Sequence, residues 1–146
     1  MYTVRKAALS DINYILSQLK DFSEIFGSKY SLYDEESAPS ILELMIKEHV
    51  FFVVERVGQV IGFMSGILTP HIYNPKITVV YTSFFWVEEA YRKSRAAYML
   101  ISEYVKYSKQ ICKWIFFSIE TKTIIKDSSL KKFGFSVTGK NYLLEV

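Results

Sequence analysis

Residues 84–101, FFWVEEAYRKSRAAYMLI, hold the best prospect for chemistry in this chain. An apolar and aromatic run ends at Val87, a short basic turn follows, and an amphipathic helical pattern begins. The first N–H groups of a helix have no acceptor in their own turn, and the helix dipole adds partial positive charge there. Such a place suits a phosphate group. Arg92, Lys93 and Arg95 add formal charge, and Ser94 adds a hydroxyl donor. Ala96 and Ala97 are small enough to let a ligand approach the backbone. The plain alternative is a helix start with exposed basic side chains.

Groups able to move a proton are few. His71 is a candidate general base because imidazole titrates near neutrality. A solvent-exposed loop histidine is the alternative. His49 falls at a helix end, where it suits a structural or dipole role. Ser128, Tyr73 and Tyr142 are further candidate hydroxyls. The stretch with Tyr30, Tyr33, Asp34, Glu35 and Glu36 can attract a cation, or can be a solvated loop leading into a helix. Cys112 is the single cysteine, so it forms no internal disulfide and reads as a core residue. No metal-ligand spacing surrounds it, and no metal site is expected.

The elements that must position these residues follow from periodicity. Tyr2 to Lys6 reads as a strand. Ser10 can cap a helix carrying Ile12, Ile15, Leu16, Leu19 and Phe22 on one face, with Asp11 near its positive end. Residues 27–37 read as a loop, and Ser40 with Glu43 forms a capping-box pattern for a second helix ending near His49. Residues 50–68 read as a hairpin turning at Val57-Gly58-Gln59. Pro70 to Pro75 reads as a loop. Ile77 to Val87 is nearly continuous in apolar residues, as expected of a central strand covered on both faces. Ala97, Leu100, Ile101, Tyr104, Val105 and Ser108 mark one face of a long helix. Lys113 to Glu120 reads as a strand, a short helix precedes Gly134, and Phe135 to Val146 holds one or two strands. The aromatic runs Phe51-Phe52, Phe84-Phe85-Trp86 and Trp114 to Phe117 fit core strands better than a platform for bases. The mixed order predicts a single α/β domain over residues 1–146 with helices on both faces of a sheet.

Composition narrows the function. The chain has 146 residues, half of them hydrophobic and 16% aromatic, enough to bury one sizeable core. Its net charge of +3 is small, and its basic residues are scattered apart from the group at Arg92, Lys93 and Arg95, which argues against a nucleic-acid partner. No uninterrupted apolar run approaches the roughly 18 residues of a membrane span, and the start MYTVRKAALSD does not look like a signal peptide. A cytoplasmic protein without a membrane partner is the expectation.

Taken together, these segments resemble the GNAT superfamily of N-acetyltransferases. Arg92-Lys93-Ser94-Arg95-Ala96-Ala97 is similar to its coenzyme A pyrophosphate loop, Q/R-x-x-G-x-G/A, with Arg92 at the first position and Ala97 at the last. Arg95 replaces a glycine, which is compatible with the loop only if φ there is negative. The preceding Trp86-Val87-Glu88-Glu89-Ala90-Tyr91 resembles the strand end V-x-P-x-x-R, with Glu89 in place of proline. Phe51 to Gly62, continued by Ile61-Gly62-Phe63, resembles the family hairpin, and Lys132-Phe133-Gly134-Phe135 its K-x-G-F. His71-Ile72-Tyr73-Asn74 and the aromatic strand after it resemble phage-borne members most.

The resemblance implies a mixed, mostly antiparallel sheet splayed between two strands. It implies acetyl-CoA as cosubstrate, held by the backbone near Phe85, Trp86 and Val87 and by Arg92, Lys93, Ser94, Arg95, Ala96 and Ala97. A neutral amine would then attack the thioester directly, with a backbone N–H stabilising the oxyanion. Two positions depart from the expected catalytic set: Thr82 stands where a Glu is expected, and Leu130 where a Tyr acid often stands. That leaves a second possibility, a non-catalytic acyl-CoA-binding or protein-interaction module on the same fold. The acceptor and the oligomeric state, monomer or homodimer, stay open.

Overall fold

The computed structural model describes residues 1–26, 34–119, 125–144 and 146. Strand β1 (Tyr2–Lys6) leads through a 3-10 turn (Leu9–Asp11) into helix α1 (Ile12–Phe26). Helix α2 (Ala38–Glu48) follows, then strands β2 (Val50–Arg56), β3 (Gln59–His71) and β4 (Asn74–Val87). A second 3-10 turn (Glu89–Tyr91), helix α3 (Ala96–Ile111), strand β5 (Trp114–Phe116) and helix α4 (Asp127–Lys132) complete the order. The strands form one sheet in the order β1-β2-β3-β4-β5, antiparallel except for β4 and β5, which run parallel.

Each face of this sheet is a hydrophobic layer. Alternation along the strands sends Phe51, Val53, Phe63 and Trp86 to one side, where they meet Ile15, Leu19 and Phe22 of α1 and Leu42 and Met45 of α2. Val50, Phe52, Val54, Met64, Val80 and Val87 go to the other side, under Leu100, Ile101, Tyr104 and Val105 of α3. The expected mixed sheet with helices on both faces is therefore present. The face read for α3 is also present, except that Ala96 rather than Ala97 is its first buried residue.

Several boundaries differ from the sequence reading, each for a tertiary reason. The first helical turn begins at Leu9, not after a Ser10 cap, because Asp11 turns back to accept the Ala8 N–H at 2.7 Å. Helix α2 begins at Ala38, ahead of the Ser40–Glu43 pattern, because the Asp34 carboxylate accepts from both the Ser37 N–H and its hydroxyl. Residues 70–75 are not a loop: β3 runs through Pro70 to His71 and β4 starts at Asn74. Pro70 is tolerated because β2 pairs with β3 only as far as Gly66, leaving that edge free of ladder bonds. Strand β4 is covered on both faces only in part, since Tyr81 and Ser83 are exposed. Strand β5 spans three residues, not the eight expected, and Trp114 is half-exposed; Glu120 lies outside the described residues. Residues 135–144 form no strand, and Val137, Tyr142, Leu143 and Leu144 are exposed.

One ion-pair network ties the start of the chain to the sheet. The Arg5 guanidinium bonds both Asp11 oxygens, at 2.7 and 2.9 Å, and Glu55 Oε1 at 2.8 Å. Asp11 is buried, and its hydrogen bonds from Arg5 hold its carboxyl below the usual carboxylate range. A carboxyl with a lowered folded-state pKa stabilises the fold above its unfolded pKa of ~3.9, and that contribution fades as pH falls through the folded value. Asp11→Asn should therefore cost about 2 kcal/mol at pH 7, the scale of a charge-assisted hydrogen bond. Denaturant titrations at stepped pH should show the gap between wild type and variant closing below about pH 4.

Candidate functional site

Strand β4 is paired with β3 along its whole length, but with β5 only at Val79, Val80 and Tyr81. From Thr82 to Val87 its second edge has left β5, so the two strands part at the level of the Tyr81–Phe116 pair. Those two rings stack at 4.7 Å, nearly parallel. Phe85 contacts Phe117, and Phe117 contacts Phe135, so the α3 side of the opening has an aromatic floor. Just above the split the strand is bulged. Ser65 pairs with Phe84 and Gly66 with Thr82, leaving Ser83 as the extra residue.

Beyond Val87 the chain turns tightly into α3. The Glu88 N–H donates to Ile61 O, and the Tyr91, Arg92 and Ser94 N–H groups donate to carbonyls within the turn. The Ser94 hydroxyl donates to Tyr91 O at 2.6 Å and accepts from the Ala96 N–H at 3.2 Å. Among the described residues, the N–H groups of Lys93, Arg95, Ala97 and Tyr98 have no acceptor. Four unpaired donors gathered at a helix start, with exposed Lys93 and Arg95 side chains around them, can receive an anionic diphosphate. Arg95 has φ −72°, so the glycine expected at that position is not needed for this backbone.

Residues 17–134 match the family model described as acetyltransferase (GNAT) family. The chain belongs to the GNAT acetyltransferase family. Solved structures share the fold over essentially the whole chain. A transcriptional regulator from Bacillus halodurans C-125 superposes with a TM-score of 0.81 at 15% identity, covering 100% of both chains. A predicted acetyltransferase with acetyl-CoA from Clostridium acetobutylicum gives 0.75 at 19% identity, covering 99% of this chain and 96% of the other. Glucosamine-6-phosphate N-acetyltransferase from Arabidopsis thaliana gives 0.76 at 13% identity, covering 99% and 98%. Identities this low carry the fold alone. No protein of curated function matches the chain.

The GNAT frame brings some of the expected residues together and leaves others apart. Phe85, Trp86, Val87 and residues 92–97 form one continuous corner of the molecule. Val87 is fully buried, and its carbonyl accepts from Arg92 Nε at 2.9 Å. The Arg92 guanidinium also lies over the Trp86 ring, 4.7 Å from its centroid. Arg92 is thus a strut within the corner rather than a free charge beside it. His71 pairs with Asn74 at the far end of the hairpin, thirteen residues from Val87 and so roughly 40 Å along an extended strand. It meets Trp114 edge-on at 4.8 Å, and its Nδ1 accepts from the Tyr73 N–H. The structure does not bring His71 to the corner. His49 Nδ1 accepts from the Leu68 N–H at 3.1 Å, a structural role. Cys112 donates to Ser108 O, and burial raises its thiol pKa, which leaves it a poor nucleophile.

The two positions that depart from the expected catalytic set are built into the packing. Thr82 Oγ1 lies 2.9 Å from the buried Tyr104 hydroxyl, and Leu130 is a buried residue of α4. Tyr73 and Tyr142 are about nine-tenths exposed, and Ser128 is exposed. Asp34 caps α2, Glu35 and Glu36 are solvated, and Tyr30 and Tyr33 lie outside the described residues.

Sequence reasoning missed the ties from α1. The Tyr14 hydroxyl donates to Glu88 Oε1 at 2.7 Å, and the Trp86 indole N–H donates to Gln18 Oε1 at 3.0 Å. Burial, together with the Glu88 carboxylate, pushes the Tyr14 hydroxyl well above the ordinary phenol range. Gln18, Asp21, Trp86, Glu88, Glu89, Ala90 and Arg92 line an open cleft of about 490 Å³ beside the corner. Helical spacing puts Tyr14, Gln18 and Asp21 on one stripe of α1, but nothing local names their partners. Arg92→Ala should lower stability by about 2 kcal/mol, through the lost bond to Val87 O and the lost contact with Trp86. A denaturant midpoint shift with unchanged slope would measure it.

Proposed function

We propose that this GNAT protein moves the acetyl group of acetyl-CoA directly to an amine. The observation that carries the reading is the corner itself, where unpaired N–H groups at Lys93, Arg95, Ala97 and Tyr98 adjoin the freed edge of β4. The diphosphate would take those donors. Ala97, only half-buried, leaves them approachable, whereas Ala96 is buried in the core. The pantetheine arm would run along β4 near Phe85, Trp86 and Val87, over the aromatic floor. The Val87 carbonyl is already engaged by Arg92, so the other backbone groups of that edge remain for the ligand. A backbone N–H of the freed edge would meet the thioester oxygen as its negative charge develops.

The amine nitrogen attacks the carbonyl carbon, the C–S bond breaks with its electron pair going to sulfur, and the spare proton leaves the nitrogen for water. No histidine adjoins the corner, Thr82 is no base near neutral pH, and of the carboxylates beside the corner Glu88 is held by the Tyr14 hydroxyl while Asp21 and Glu89 are solvated. The amine therefore enters mainly by its own neutral fraction, which favours acceptors of lower pKa such as a protein N-terminus near ~8. A second reading, coenzyme binding without transfer, is favoured by Thr82 and Leu130 being absorbed into the packing. Thiol release in the presence of amines separates the two.

Acetyl-CoA at about 100 times its dissociation constant should add ~2.7 kcal/mol of stability, seen as a raised melting temperature. Ala97→Glu should keep the fold and abolish that rise, because a carboxylate would sit among the anion-binding N–H groups. No rise in the wild type at millimolar acetyl-CoA would count against the reading. For an ordinary amine, the transfer rate should climb steadily from about pH 6 to 9, as the neutral fraction grows. His71→Ala should leave this profile unchanged, and a plateau near pH 7 lost in that variant would make His71 the base.

A further inference from the structure

We infer that Ser83 holds the attacking amine and that Ser65 orients it for that task, an inference that rests on the acetyl-transfer reading above. Ser83 is the extra residue of the β4 bulge, two positions past the last rung that β4 shares with β5. A bulge re-aims the side chain it carries. Here it turns the Ser83 hydroxyl toward Ser65 on β3, 2.9 Å away. Ser65 shares a strand face with Phe63 and Ile67, so the pair lies on the side covered by α1 and α2.

The two serines differ sharply in exposure. Ser65 is 0% exposed, whereas Ser83 is open to solvent. A buried hydroxyl is costly unless bonded, and Ser83 is the partner that Ser65 has among the described residues. That need fixes the direction of the Ser83 oxygen. Its neighbour Thr82 points to the opposite face, where its hydroxyl meets Tyr104. Ser83 therefore presents a solvent-facing hydroxyl just past the point where the strands part, whereas the exposed Tyr81 is stacked on Phe116.

Its chemistry is orientation. A serine hydroxyl takes no proton from an ammonium at neutral pH, but its lone pair accepts an N–H from a neutral amine. One such bond aligns the nitrogen lone pair with the thioester carbon, and nothing more is asked of it. Ser83 touches the acceptor, and Ser65 is a positioning residue acting through it.

The test measures acetyl-CoA affinity by calorimetry and thiol release with glycinamide, Nα-acetyllysine amide and putrescine. Variants are Ser83→Ala, Ser83→Thr and Ser65→Ala. Ser83→Ala should lower kcat/KM for amines about five- to tenfold, the scale of one hydrogen bond, with acetyl-CoA affinity unchanged and the melting temperature lowered, because buried Ser65 loses its partner. Ser83→Thr should recover most of that loss, and Ser65→Ala should show a smaller loss of the same kind. Wild-type kcat/KM in Ser83→Ala, or a matching loss of acetyl-CoA affinity, would overturn the role. Wild-type protein that binds acetyl-CoA but releases no thiol with any of these amines overturns it too. Failure of the wild type to bind acetyl-CoA at all instead removes the acetyl-transfer reading beneath it.

Discussion

Strand β4 runs on for six residues after its pairing with β5 has ended, and the rest of the functional corner follows from that asymmetry. A strand edge without a neighbour offers backbone groups that only water or a ligand can satisfy. It keeps its place because β3 grips the other edge to Val87 and because the side chains on its two faces are locked into two separate cores. Trp86 faces α1 and Val87 faces α3, so neither face can peel away without emptying a packed layer. The turn into α3 is then delivered to the end of that edge, and its free N–H groups lie next to it rather than elsewhere on the helix surface.

The corner also shows how this loop does without a glycine at residue 95. Glycine is needed where φ is positive or where a Cβ would collide. At Arg95 φ is −72°, and the shape is held by other means. Ser94 bonds Tyr91 O and Ala96 N, and Arg92 reaches back to Val87 O. These bonds engage the Ser94 hydroxyl and Arg92 Nε, and leave for an anion the backbone N–H groups between and after them with the exposed Lys93 and Arg95 side chains.

The parts of this molecule legible in the sequence are those governed by local periodicity. Burial on one face of α1 and α3 repeats every three to four residues, and the hairpin at Val57-Gly58 sits between two β-rich runs, so both were readable. Helix starts were not, because Asp11 is claimed by Arg5 and Glu55 lies on another strand. The length of β3 was misjudged at Pro70, whose tolerance depends on where β2 begins. The chemistry of His71 was legible but its place was not, because β4 is extended and holds it at the opposite end from Val87. The Ser65–Ser83 contact joins residues eighteen positions apart, and no pattern within either strand announces a bulge.

The Thr82 position illustrates why replacing a carboxylate is more than the loss of one group. Tyr104 reaches from α3 to the sheet, where its hydroxyl meets Thr82 Oγ1 at 2.9 Å, directly over Gly66. A Cβ on Gly66 would lie 2.1 Å from that hydroxyl, so the glycine is what admits the tyrosine. Burial raises the Tyr104 pKa, so the phenol is neutral at physiological pH. A carboxylate at residue 82 would replace this hydroxyl–hydroxyl contact and set its charge against the buried Tyr104 ring. Thr82, Tyr104 and Gly66 are therefore a mutually fitted set. In the proposed transfer, the orientation of the amine and its own neutral fraction stand in for that carboxylate.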